Sequence, residues 1–249
     1  MPGQTDGLPV RWRQGEHVAV VGRTGSGKTY LIGKLTALRQ YVVIFRTKPD
    51  RKIKFPGFVT VRRAAAMDHW RSERLLLEPD YRRQAVEGYG MLERAWRDGG
   101  WTIVVDENWY AEKLLGLQSY VIRLLTQGRS KDISIVVGMQ RPVDITRFAL
   151  SEITHLFVFR CEGRDLKFSL KDSTTESIVP AVRNLRGHDY VYYNAAKQII
   201  ATGNANRLSE TLVSTYAPTN EAERVDRPPA EGHAQIVGQA SPATGRPPA

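Results

Sequence analysis

The sequence predicts an α/β fold: a mostly parallel sheet flanked by helices and finished by a C-terminal β-hairpin. Three observations carry this expectation. Short apolar, β-branched runs alternate with helix-periodic stretches along most of the chain. Such fully apolar strands suit a sheet covered on both faces. A glycine-rich turn follows the first buried run and leads into a helix, and two late alternating runs read as a hairpin.

The elements follow in order. HVAVV (17–21) is the first core strand, and TYLIGKLTAL after the glycines is the first helix. YVVIF (41–45) is the next strand, and LLL (75–77) another that Pro79 stops. Residues 81–97 are amphipathic. Ala85, Tyr89, Leu92 and Trp96 recur at helical spacing, while Arg82, Arg83, Arg94 and Arg97 decorate an exposed face balanced by Glu87, Glu93 and Asp98. TIVV (102–105), a helix near 118–126, ISIVV (133–137) and HLFVF (155–159) come next. YVYY (190–193) and QIIA (198–201) form the hairpin. Trp96, Trp101 and Trp109 flank the TIVV strand and read as core or subunit-interface residues.

With 249 residues and 41% hydrophobic content, the chain has ample material for one large α/β domain or two small ones. It divides into an N-terminal segment (1–14), a folded domain (15–210) and a disordered Pro-rich tail (217–249). The tail holds six of the 13 prolines and four acidic against three basic residues, a net of −1, so of the chain's +10 the rest of the chain carries +11. That surplus points to an anionic partner without naming one. The single cysteine, Cys161, excludes an internal disulfide and reads as a small core residue. The five histidines lack ligand spacing, so no zinc site is expected. No apolar stretch approaches the roughly 20 residues of a membrane span, and the polar start MPGQTDGLPVRWRQG lacks a signal-peptide core. The expectation is a cytoplasmic protein.

The chemistry begins at Gly22-Arg23-Thr24-Gly25-Ser26-Gly27-Lys28-Thr29, which fits G-x-x-x-x-G-K-[ST] between a strand and a helix. Glycines let the loop wrap so that backbone N–H groups face a polyphosphate, and the helix N-terminus adds positive potential. Lys28 would reach the β- and γ-phosphates of ATP, the Thr29 hydroxyl would ligate Mg²⁺, and Tyr30 follows on the helix beside them. An ordinary glycine turn is the plainer alternative. A Rossmann site is excluded because Tyr30 occupies the third glycine position.

TIVV ends in Asp106 and Glu107. With the strand beside the cradle, Asp106 can support the Mg²⁺ and Glu107 can polarise a water for attack on the γ-phosphate. The plainer alternative is an acidic pair capping the next helix. ISIVV runs into Gly138-Met139-Gln140-Arg141-Pro142, where the Gln140 amide can bond both the attacking water and a γ-oxygen. A polar residue in a Pro-terminated turn is the alternative there.

Taken together, GRTGSGKT, VVDE and the QGRSKDIS segment leading into VVGMQRP resemble the FtsK/HerA superfamily of DNA-translocating ATPases over roughly residues 15–205. Met139 replaces the family's usual Thr before the glutamine. FRTKPD (45–50) is only loosely similar to its Asp-Pro-Lys-Gly turn. The resemblance implies a RecA-like (ASCE) P-loop ATPase core assembled as a ring of five or six subunits. It implies Arg129, of the Gly128-Arg129 pair, as a finger reaching a neighbouring subunit's site, with Arg123, Arg141 and Arg147 in reserve. A helix-terminal arginine favouring the macrodipole is the alternative for Arg129. Among the superfamily's chromosome pumps, conjugation coupling proteins and genome-packaging ATPases, the economy of this chain is most like the compact packaging ATPases of viruses and phages. That implies double-stranded DNA as substrate, a capsid portal or vertex protein as partner, and the host cytoplasm as location.

A motor that passes every sequence grips DNA through phosphates. Lys48, Arg51, Lys52 and Lys54 are the candidate contacts, with Arg62 and Arg63 behind them; a solvated charge run is the alternative. Two rival functions remain at this stage. One is a P-loop kinase acting on a nucleotide or small molecule, and the other is a nucleotide-gated assembly factor that barely turns over.

Overall fold

The computed structural model describes residues 10–37, 39–48, 54–68, 74–141, 147–161, 178–197, 199–210 and 212–215. Arg51, Lys52 and the expected tail at 217–249 lie outside them. The strands are β1 (Val10–Arg13), β2 (Val18–Val21), β3 (Val42–Phe45), β4 (Val59–Val61), β5 (Arg74–Leu77), β6 (Thr102–Val105) and β7 (Ser134–Met139). They continue with β8 (His155–Phe159), β9 (Asp189–Asn194), β10 (Ile199–Asn204) and β11 (Leu212–Thr215). The helices are α1 (Lys28–Thr36), α2 (Gln84–Asp98), α3 (Asn108–Lys113), α4 (Gln118–Gln127), α5 (Arg147–Ser151) and α6 (Ile178–Arg183).

Among the described residues, nine strands form one sheet in the order β10-β9-β8-β2-β7-β6-β3-β5-β4. From β8 to β4 every pairing is parallel, so these strands all end at the same edge. β9 and β10 add antiparallel and supply the expected hairpin. Strand alternation divides the core in two. Ala19, Val21, Val43, Phe45, Ile103 and Ile135 pack with Met91, Leu92, Ala111, Val121 and Leu124 of α2, α3 and α4. Val18, Val20, Val42, Ile44, Val104 and Val136 pack on the other side against Leu31, Ile32 and Leu35 of α1.

One expectation about local arrangement needs correction. The helix at 81–97 begins as a 3₁₀ turn (Tyr81–Arg83), and α2 buries Gln84, Glu87, Gly88, Met91, Leu92 and Ala95. Ala85 is exposed and Tyr89 is 43% exposed, so the apolar face is rotated from the one the periodicity suggested. Glu87 explains the rotation. Its carboxylate accepts the Ala64 N–H at 2.8 Å and is bound by Arg83 at 2.7 Å, so it belongs to the interior. Burial pushes this carboxyl up, but the Ala64 bond and Arg83 prevail and hold it below the usual carboxylate range. In the sheet β6 does not adjoin β2, since β7 lies between them.

Residues 10–14, upstream of the expected domain start, are built into the structure. β1 pairs parallel with β11. Trp12 is 1% exposed, and the equally buried Arg39 guanidinium lies 4.0 Å from its ring centre. Arg39 donates to the Trp12 carbonyl at 2.8 Å and to Gln14 Oε1 at 2.9 Å. The Gln14 amide in turn donates to the Trp101 and Asp132 carbonyls. Nearby, the buried His17 Nδ1 accepts the Ile135 N–H at 3.1 Å. Burial, reinforced by the charge of Arg129, lowers this imidazole's pKa to about 4, so it is neutral. These groups gather at the starts of β2, β3, β6 and β7, and this polar network ties the strand beginnings together.

Candidate active site

The opposite edge carries the motifs. The cradle runs from the end of β2 to the first turn of α1, with Gly25 at φ 80° and Gly27 at φ 101°. Both are left-handed values that favour glycine. Gly22 is required for space, since a Cβ there would sit 2.7 Å from Phe159 and from the Ser26 hydroxyl. Lys28 is buried and its Nζ donates to the Arg23 carbonyl at 3.1 Å, folded over the loop. Burial lowers the Lys28 pKa, while Asp106 and Glu107 oppose that drop.

Thr29, one residue on, donates its hydroxyl to the Asp106 carboxylate at 3.2 and 3.3 Å. Asp106 reaches it across β7 because Gly138 has no side chain: a Cβ there would collide with the Asp106 carbonyl oxygen. Burial raises the Asp106 pKa, and Lys28 and the Thr29 hydroxyl pull the other way. Two oxygen donors thus converge beside a buried lysine, a donor set that suits a hard divalent cation such as Mg²⁺.

Glu107 occupies the N-cap position of α3 but makes no side-chain cap bond, which removes the helix-capping alternative. Its carboxylate instead accepts from Gln140 Nε2 at 3.2 and 3.3 Å, across from the end of β7. Lys48, from the loop after β3, pairs with Glu107 at 3.2 Å while remaining 64% exposed. The sequence assigned this lysine to DNA; its present partner is the candidate base. Lys54 is exposed. Arg62 pairs with Asp80 at 2.8 Å and Arg63 with Glu87 at 3.6 Å.

Arg129 stands elsewhere. It lies in the 3₁₀ turn before β7, beside Gly15 and donating to the Thr154 hydroxyl at 3.5 Å, with its residue exposed. The six residues of β7 separate it from Gln140, about 20 Å at about 3.3 Å per residue. It does not join its own chain's site. Arg123 is engaged outside the core, 4.0 Å from the Trp96 ring centre and 3.6 Å from Glu93. Arg141 is exposed just after Gln140, and the side chain of Arg147 lies outside the described set. Tyr30 is 47% exposed on the first turn of α1. Of the three tryptophans, Trp101 is fully buried, Trp96 is half-buried and Trp109 is 47% exposed. Cys161 is buried at the end of β8, close enough to act electrostatically on Lys28.

One neighbour of the cradle had no sequence signal. His188, in the turn before β9, has Nδ1 3.0 Å from the Ser26 carbonyl oxygen.

Strand order, cradle and acidic strand end together define a RecA-like P-loop ATPase fold. Its likeness among solved structures is to the genome-packaging NTPase B204 from Sulfolobus turreted icosahedral virus 2 in complex with AMPPCP. The two share 16% identity and a TM-score of 0.63, over 76% of this chain and 97% of that one. The DNA-packaging ATPase B204 from Sulfolobus Turreted Icosahedral Virus gives 18% identity and a TM-score of 0.59, over 78% and 98%. TrwB, a bacterial conjugative coupling protein, gives 12% and 0.56, over 77% and 85%. No protein-family model and no curated protein matches the sequence. At these identities the likeness is one of fold, and the expected resemblance to compact packaging ATPases is met at that level. Among the described residues no helix is long and apolar enough to cross a membrane.

Proposed function

We propose that this chain hydrolyses ATP and uses the energy to move double-stranded DNA, as the packaging motor of a viral genome. The observation that carries the hydrolytic reading is the pairing of two carboxylates with two distinct partners. Asp106 meets Thr29 of the cradle, and Glu107 meets Gln140 one strand away.

The division of labour follows from these contacts. The backbone of residues 22–29 wraps the polyphosphate, and Lys28 neutralises its terminal charge. Thr29 and Asp106 would hold Mg²⁺, which when bound draws charge from the phosphate oxygens. Glu107 accepts a proton from the attacking water, and Gln140 holds that carboxylate and the water in line. Lys48, Arg51, Lys52 and Lys54 would supply the contacts to the DNA phosphates, and of these Lys48 and Lys54 are exposed. A finger role for Arg129 is supported by its distance from its own cradle: only a neighbouring copy in a ring can present it to a γ-phosphate. The complex of B204 with a nucleotide analogue, and its name as a genome-packaging NTPase, support the same reading. A capsid portal or vertex is then the partner, in the host cytoplasm.

The test is ATP turnover by purified protein with and without duplex DNA. Phosphate release that rises severalfold with duplex supports the motor. Transfer of phosphate to an acceptor would replace it with a kinase, and binding without turnover would replace it with an assembly factor.

A further inference from the structure

We infer that His188 is a positioning residue for the phosphate cradle, through which the C-terminal hairpin sets the orientation of one P-loop peptide. The inference deepens the nucleotide-binding reading above and rests on it.

A carbonyl oxygen only accepts hydrogen bonds, so His188 Nδ1, 3.0 Å from the Ser26 oxygen, must carry the proton. The Ser26 carbonyl and the Gly27 N–H belong to one planar trans peptide and point in opposite directions. Holding the oxygen toward His188 therefore aims the Gly27 N–H away from it, the side on which the nucleotide-binding reading puts the polyphosphate. Gly27 needs such an anchor. At φ 101° its glycine backbone is free to rotate, and the imidazole fills the place of its missing side chain, with Nδ1 3.1 Å from where a Cβ would be.

The histidine is itself held firmly although exposed. A turn closes around it through Asp189 N–H to the Arg186 carbonyl at 2.9 Å. Its own carbonyl accepts the Ala205 N–H at 3.0 Å, and Asn204 donates to Asp189 at 2.7 Å. Both braces come from the end of β10 and the residue after it. The ends of the hairpin thus fix His188, and His188 fixes the 26–27 peptide. Nucleotide that reorients the cradle must pull on the hairpin, and movement of the hairpin must alter nucleotide affinity by the same factor.

The experiment compares wild type, His188→Phe, His188→Ala and His188→Asn by titration with a fluorescent ATP analogue and by thermal unfolding without nucleotide. Asparagine offers an amide N–H near the place of Nδ1, whereas phenylalanine keeps the ring and loses the donor. The expected result is about tenfold weaker binding for Phe and Ala, as for loss of one hydrogen bond. Asn should stay within about twofold of wild type, and the unfolding midpoints should remain close together. Equal affinities in all four proteins would overturn the inference, as would Asn binding as weakly as Phe. Wild type that binds no nucleotide would remove the underlying reading instead, and this inference with it.

Discussion

The two edges of the central sheet draw on the same polar residue types and use them in opposite ways. At the strand beginnings, Arg39, Gln14 and Trp12 are closed in on one another and on backbone carbonyls, and His17 accepts a backbone N–H, with bonds of 2.7–3.2 Å. His155 adds to that edge, between Glu16 at 2.9 Å and Tyr192 at 2.8 Å. At the strand ends, Lys28 donates to the Arg23 carbonyl at 3.1 Å, while Thr29 bonds Asp106 and Gln140 bonds Glu107 at 3.2–3.3 Å, contacts that a polyphosphate and a cation can replace. The first edge is a brace whose bonds run between buried side chains and the backbone. The second is a set of charged and polar groups gathered around the cradle and the ends of β6 and β7. What distinguishes a scaffold from a site here is what the polar groups are bonded to: mainly the backbone at one edge, mainly other side chains beside the cradle at the other.

Arg129 is the residue that tests this division, because it sits on the braced edge yet is exposed. If it serves a neighbour's cradle, Arg129→Ala lowers DNA-stimulated turnover by about 10³-fold or more. Nucleotide affinity and unfolding midpoint should be unchanged. Normal turnover would return Arg129 to the brace, as a partner of Thr154 and no more.

Arg39→Met probes the brace itself, with a smaller effect. The Trp12 carbonyl and Gln14 Oε1 lose a buried donor, and the ring loses its cation, for about 2–4 kcal/mol in urea unfolding. The folded variant should bind nucleotide as wild type does. A matching fall in affinity would show that the two edges are not separable.

Much of the carboxyl edge was legible in the sequence, because its signals are local. The G-x-x-x-x-G-K-T spacing, the carboxylates closing TIVV and the glutamine after ISIVV each sit within a few residues of the strand that presents them. The brace was not. No local pattern links Trp12 to Arg39, and only tertiary packing brings them together. His188 was invisible for the same reason: 162 residues separate it from Ser26. The phase of α2 was misread because Glu87 counts as polar in any periodicity, although a buried backbone N–H makes it an interior residue. The sequence also could not supply strand order, so β7 between β2 and β6, and the need for a side-chain-free Gly138 beside Asp106, emerged only from the fold.

The most direct measurement is single-turnover ATP hydrolysis by Glu107→Gln, alongside its affinity for ATP. The substitution keeps the size and hydrogen-bonding reach of the side chain and removes its capacity to take a proton. With water activated by this carboxylate, binding persists while the chemical step slows by about 10²–10⁴-fold. A variant that hydrolyses ATP at the wild-type rate would contradict the assignment of Glu107 and, with it, the hydrolytic site described at this edge.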